Sequence, residues 1–207
     1  MPDALRILWV AATPVEAACA PTHSAWRSIA TGCGPAAAAC GLGFHLGREA
    51  TPDLVIGIGI AGAYADSGIP VGRVVAVESD NFCDLGCEDG EAFLDLLELG
   101  IPQVGVEPAY TCAFPAFLSG LPKVVATTCS VCTGSLSTAK ARRERTGAAL
   151  ESMEGAAWAM SCLRAGVPFA QVRAVSNIAG PRDRSAWRIP QALAALRQAL
   201  EEACAKI

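Results

Sequence analysis

Apolar residues in this chain fall into short unbroken runs separated by longer stretches of helical spacing. The runs Leu5–Ala11, Ala25–Ala30, Asp53–Ile60, Val71–Glu78, Val124–Thr128 and Phe169–Ser176 have strand length and predict six strands. Helices are predicted over Pro35–Gly47, Glu91–Leu99, Ser137–Arg145 and Gly155–Ala165. A last helix opens at Pro190 and repeats Leu193, Leu196, Leu200 and Cys204 at the spacing of one buried face. Strands that alternate with helices predict an α/β fold with a mainly parallel, helix-covered sheet. No Ser/Gly-rich linker, charge block or repeat divides the 207 residues, so one domain over 1–207 is expected.

Composition narrows the function. Only 17% of residues are charged, against about 25% in an ordinary soluble domain, so surface is expected to be buried between subunits of a homo-oligomer, a dimer or larger. Sixteen basic residues against 20 acidic ones, with no basic stripe, argue against a nucleic-acid partner. The ten cysteines are scattered through apolar stretches, where a thiol acts as a small hydrophobe, and this favours a reduced cytoplasmic setting. Cys129-x-x-Cys132 and the Cys83/Cys87 pair each lack a second ligand pair, and His23 and His45 are the only histidines, so no metal is expected. Arg6, the run Ile7–Ala12 and Ala18-Cys-Ala20 mimic a secretion signal, but Asp3, Pro14 and Glu16 spoil it. No run approaches the ~20 apolar residues that cross a bilayer, so no membrane partner is expected.

Gly57-Ile-Gly-Ile-Ala-Gly62 fits a dinucleotide fingerprint, with Glu78 ending a further strand. That reading needs a crossover helix directly afterwards, and Ala63–Gly72 carries the breakers Gly68, Pro70 and Gly72. No organic cofactor is therefore expected. The glycines read as a turn whose bare backbone meets a ligand, or as a plain tight turn between buried strands.

Two segments remain: Glu151-Ser-Met-Glu-Gly-Ala-Ala157 and Val172-Arg-Ala-Val-Ser-Asn177. Each looks like a strand that brings a polar side chain to a sheet edge, where open α/β folds bind ligands. Together with Glu16, which Thr13-Pro14 sets just inside a first helical turn, and the Gly57–Gly62 turn, they resemble the family of purine nucleoside phosphorylases and nucleosidases. Within it the motifs are similar to those of methylthioadenosine/S-adenosylhomocysteine nucleosidases and, closer still, futalosine hydrolases of menaquinone biosynthesis. The resemblance spans about Ile7 to Ile189 and implies a three-layer fold with a mainly parallel or mixed central sheet.

It also implies site residues. Glu154 corresponds to the carboxylate that accepts from ribose hydroxyls, with Met153 against the sugar and Ala61 and Gly62 against the nucleoside. Glu16 corresponds to the base that activates water. Phosphorylases of this fold use arginines in that region, and Ala12-Thr-Pro-Val-Glu16 supplies none. Adenine-cleaving relatives carry aspartate where this chain has Asn177; an amide donates to N7 and to a 6-oxo group, which points to a 6-oxopurine. The implied activity is hydrolysis of futalosine to hypoxanthine and the base-free aryl sugar.

Competing readings stay open. Glu16 and Glu154 also suit acids favoured by a helix dipole, Asn177 a turn after a strand, and Glu151 a mere strand residue. Arg182 and Arg184 are candidates for the substrate carboxylate by charge alone, and Phe82 and Trp187 are candidate stacking partners. A phosphorylase acting on inosine or guanosine, or a catalytically idle nucleoside-binding protein, would carry much of the same pattern.

Overall fold

The structure, a computed structural model, describes residues 4–90, 92–101 and 107–207. The strands are β1 (Ile7–Ala11), β2 (Arg27–Ala30), β3 (Leu54–Tyr64), β4 (Val74–Phe82), β5 (Gly86–Asp89), β6 (Ala92–Asp95), β7 (Tyr110–Thr111), β8 (Lys123–Thr128), β9 (Leu150–Ser152) and β10 (Phe169–Ala179). The α-helices are α1 (Pro14–Ala17), α2 (Pro35–Leu46), α3 (Leu136–Thr146), α4 (Gly155–Ala165) and α5 (Ile189–Cys204).

The central sheet is mixed. Its strands β3, β10, β4, β8 and β9 pair in succession, and β9 returns to β3, so five strands close into a ring. Strands β1 and β2 extend outward from the first half of β3. The strand runs are continuously apolar because both sheet faces are covered. Val55 and Phe169 pack with Ala38 and Leu42 of α2 and Trp158 of α4; Ile56, Ile58 and Val172 pack with Leu196 and Leu200 of α5 on the other face. Three layers result. The buried line of α5 runs through Ala192, Leu196, Leu200 and Ala203, with Leu193 and Cys204 at its margins.

Two expectations need correction. The glycine segment is not a turn: β3 continues through it to Tyr64, and none of Gly57, Gly59 and Gly62 has a positive φ. These glycines serve lateral close approach instead. The stretch expected as a helix over Glu91–Leu99 forms β6, paired antiparallel with β5, and then turns; residue 91 lies outside the described residues. Asp95 Oδ1 accepts from the backbone N–H groups of Leu97 and Glu98 while Glu98 Oε2 accepts from Asp95 N, a capping box that opens a single turn, which ends at left-handed Gly100. Gly86 lets the hairpin close, since a Cβ there would strike Leu94 O.

Candidate active site

The fork between β1 and β9 creates the site. On one edge of β3, β1 pairs with residues 54–57 and β9 with residues 62–63, which leaves a gap where neither strand supplies a partner. Glu16 fills it: its Oε1 accepts from Ile60 N at 3.1 Å. The second oxygen accepts from Thr13 N at 3.1 Å and Thr13 Oγ1 at 2.7 Å, and Thr13 Oγ1 takes Glu16 N in return. This reciprocal cap holds the four-residue helix α1 and points the carboxylate inward. Glu16 is buried, so the picture of a solvated first-turn acid does not apply.

Glu154 stands at the start of α4, yet its side chain makes no cap bond to that helix. Its Oε1 accepts from Gly34 N at 3.2 Å, and its Oε2 lies 3.5 Å from Arg173 Nη1. Burial pushes its pKa above the usual carboxylate range and nearby Glu16 adds to this; Arg173 and the Gly34 N–H pull it back.

The register of β10 against β3 shifts between Val175 and Asn177, which leaves Ser176 as the extra residue. Such a bulge re-aims the side chain that follows. Ser176 Oγ bonds Ala61 O at 3.3 Å and Asn177 Oδ1 at 2.8 Å. The Asn177 amide Nδ2 donates to Ile178 O at 3.1 Å. Asn177 therefore lies inside a strand and not in a turn after one.

A cavity of about 430 Å³ joins these elements. Glu16, Ala61, Gly62, Met153, Glu154 and Asn177 all line it, as does Trp187, whereas Phe82, Arg182 and Arg184 do not. Val15, Trp187, Ile189 and Leu193 contribute apolar wall to it. Arg182 sits 5.8 Å from the centre of the Trp187 ring, whereas Asp183 bonds Ser185 and forms no ion pair with Arg182 or Arg184. Phe82 is elsewhere, packed edge-on against Tyr110.

Three features escaped the sequence reading. Arg173 is fully buried, donates from Nε and Nη2 to Gln171 Oε1, and lies over the Trp158 ring. A charge inside an otherwise apolar strand is costly unless paired, and that was its available signal. Glu151 is more than a strand residue: it is buried, takes donors from Tyr64 and Thr133, and lies 3.6 Å from Arg142 Nη1. Ser152 belongs to the cavity wall, and its Oγ is buried with no hydrogen-bond partner among the described residues. Cys129 donates its thiol to Ser152 O, and its proximity lowers the pKa of the Cys132 thiol below the ordinary value. All ten cysteines are free, and among the described residues no cluster of three metal-ligating side chains forms.

Ring, fork and cavity together define a phosphorylase-superfamily protein, and the sequence profile of that superfamily matches residues 28–207. Within it the chain belongs to the futalosine hydrolase family. The futalosine hydrolase of Streptomyces coelicolor is 40% identical over 181 residues, covering 84% of this chain and 77% of that protein. That of Thermus thermophilus is 36% identical over 200 residues, covering 88% and 86%. Among solved structures, the S-adenosylhomocysteine nucleosidase of Streptococcus pyogenes, in complex with 5-methylthiotubericidin, shares the fold with a TM-score of 0.79 at 20% identity, over 98% of this chain and 97% of that one.

Proposed function

We propose that the chain, as one domain over residues 1–207, hydrolyses the N-glycosidic bond of futalosine and releases hypoxanthine. The observation that carries this reading is the convergence of Glu16, Glu154 and Asn177 on one cavity. Cleavage develops positive charge on the ribosyl carbon and negative charge on the departing base, so it needs an acceptor near the sugar, donors at the purine and an activated nucleophile. Glu154, held in a site of low polarity by Arg173 and Gly34, accepts from the ribose hydroxyls and opposes the ribosyl charge. Met153 lies against the sugar, and Ala61 and Gly62 present bare backbone to the nucleoside. Glu16 Oε1 retains acceptor capacity beside its bond to Ile60 and takes a proton from the attacking water. The Asn177 amide, one N–H of which is held by Ile178 O, donates its other N–H at the N7/O6 edge of the leaving base.

Water is favoured over phosphate because no arginine or lysine is among the described residues that line the cavity; Arg173 is fully buried behind Glu154, with its donors on Gln171, Ile60 O and Glu154. The apolar wall at Trp187 suits the aryl group of futalosine, with Arg182 over that ring for its carboxylate. Exposed Phe44, Val131, Leu136 and Leu163 support a homo-oligomer, and no described helix is long and apolar enough to cross a membrane. A cytoplasmic place in menaquinone biosynthesis follows from the same reading.

The test is incubation with futalosine and with inosine, each with and without phosphate, assayed for free hypoxanthine. Phosphate-independent release from futalosine is expected. Release from inosine that requires phosphate would assign a phosphorylase instead.

A further inference from the structure

Glu154 occupies the N-cap position of α4 but does not cap it. The first-turn donor Ala156 N is met instead by Thr128 Oγ1, at the end of β8, at 2.8 Å. Thr128 thus takes over the capping task, and the Glu154 carboxylate is left to face the cavity. Thr128 Oγ1 in turn donates to Asp80 Oδ1 of β4 at 3.0 Å.

A second arm leaves the same aspartate. Asp80 Oδ2 accepts from Gln171 Nε2 at 2.9 Å, and Gln171 Oε1 accepts from Arg173 Nε at 3.3 Å and Nη2 at 3.1 Å. Arg173 Nη1 then reaches Glu154 Oε2 at 3.5 Å. Asp80, Thr128 and Arg173 are at 0% exposure and Gln171 at 1%, so bulk water offers none of them another partner. The order of donors along this arm has one solution. An ionised carboxylate only accepts, so Asp80 takes the Gln171 amide NH2 and thereby turns the amide oxygen to the guanidinium, which only donates. Reversed, the amide would set N–H against N–H and drive Arg173 off Glu154. Gly155 lies over the junction of the two arms, where a Cβ would strike Asp80 Oδ2 and Gln171 Oε1.

Resting on the nucleosidase reading above, we propose that Asp80 and Gln171 are positioning residues for Glu154. One buried carboxylate fixes the start of α4 through Thr128 and the counter-ion Arg173 through Gln171. Neither Asp80 nor Gln171 is among the described residues that line the cavity, so both act through Glu154. A carboxylate that opposes a developing ribosyl charge must have its oxygens in place before that charge appears. A misplacement of about 1 Å costs on the order of 10²-fold in rate. Because Glu154 serves the sugar, loosening the clamp acts on turnover and spares affinity for the free base.

The test uses the full chain, with kcat and KM for futalosine and the Kd of free hypoxanthine. Gln171→Met, close in volume and without the amide, is expected to lower kcat at least ~10-fold with hypoxanthine affinity within about 3-fold of wild type. Gln171→Glu sets two carboxylates face to face and should lower kcat as much. Adding Asp80→Asn to Gln171→Glu rebuilds the arm with its charge moved one residue along: the new amide donates to the new carboxylate, which still accepts from Arg173, and the amide oxygen still takes Thr128 Oγ1. The double variant should recover kcat to within about 3-fold of wild type, a coupling that independent effects would not give. A double variant no better than Gln171→Glu overturns the inference, as does wild-type kcat in Gln171→Met. Hypoxanthine affinity that falls in step with kcat marks a general loosening of the fold and overturns it too. Should Gln171→Glu not fold, Thr128→Val, which cuts only the α4 arm, decides: a kcat at least ~3-fold lower with hypoxanthine affinity kept supports the clamp, and an unchanged kcat overturns it. Wild-type turnover with unaffected variants removes only the positioning role, whereas absence of futalosine cleavage by wild-type protein removes the nucleosidase reading and the positioning role with it.

Discussion

Arg173 Nη1 and Glu154 Oε2 lie 3.5 Å apart inside the protein, the arginine at 0% and the glutamate at 6% side-chain exposure. Neither charge can be solvated by rearrangement, so each depends on the other. Arg173→Met is expected to cost about 3–5 kcal/mol, read by urea unfolding at neutral pH. Burial already raises the Glu154 pKa, and loss of the guanidinium raises it further. The folded variant then binds a proton that its unfolded chain releases, so its deficit should grow as pH rises from 5 to 8. A deficit independent of pH would show that Glu154 does not rely on this arginine.

Glu16 can be changed without undoing its helix, because glutamine also serves in the reciprocal cap with Thr13. Glu16→Gln should therefore lower turnover by ~10²- to 10⁴-fold while hypoxanthine affinity stays near wild type, with a loss of about 1–3 kcal/mol in stability because the glutamine amide faces the Ile60 N–H. Unaltered turnover would reduce Glu16 to a cap.

Gly59 and Gly57, two residues apart on β3, separate function from stability. A methyl at Gly59 would stand 2.7 Å from both Arg173 Nη1 and Glu16 Oε1, the movable ends of two side chains. Gly59→Ala should displace them, reducing activity at least ~10-fold together with stability, whereas Gly57 bears on stability alone. At Gly57 a methyl would lie 2.8 Å from Trp158 Cε3 and 2.9 Å from Phe169 Cζ. These rings are packed in the core, so Gly57→Ala should cost about 1–3 kcal/mol. Paired melting and turnover measurements distinguish the two patterns.

Behind the site, Asp80 accepts from Gln171 Nε2 at 2.9 Å and Thr128 Oγ1 at 3.0 Å. Burial raises its pKa to about 6 from the ordinary 3.8, against the opposing pull of these hydrogen bonds and of Arg173. Between those values the folded chain holds a proton that the unfolded chain has lost. Stability from this group is therefore greatest in acid and falls as pH rises through about 4 to 6. Relative to Asp80→Asn, wild-type protein should lose on the order of 3 kcal/mol across that window and little above it. A difference between the two proteins that stays flat from pH 4 to 7 would contradict the raised pKa.

How much of this was legible in the sequence depended on how local each cause was. Strands such as Ile7–Ala11 and the helix Gly155–Ala165 follow from runs and spacing in a single segment. Glu16, Glu154 and Asn177 were recognisable because each belongs to a short ordered motif. The Gly57–Gly62 stretch misleads because clustered glycines read as a turn; here the missing side chains make room for Trp158, Phe169, Arg173, Glu16 and Asn177, all distant in sequence. Residues 92–99 fail as a helix because 92–95 pair with β5 across a hairpin and the capped turn that follows has room for one turn only before left-handed Gly100. Glu151 could not be weighed without its register opposite Gly62, a relation that exists only once β9 and β10 flank the same strand.

The closed ring has a consequence for how the protein is made. Strand β10 supplies the pairing for β3 and β4, yet it begins only at Phe169. A ribosome releases β3 more than a hundred residues earlier, so its Gly59 edge must wait exposed through most of synthesis. Such long-range closure is slow, and it makes the nascent chain a natural client for chaperones until its last strand arrives.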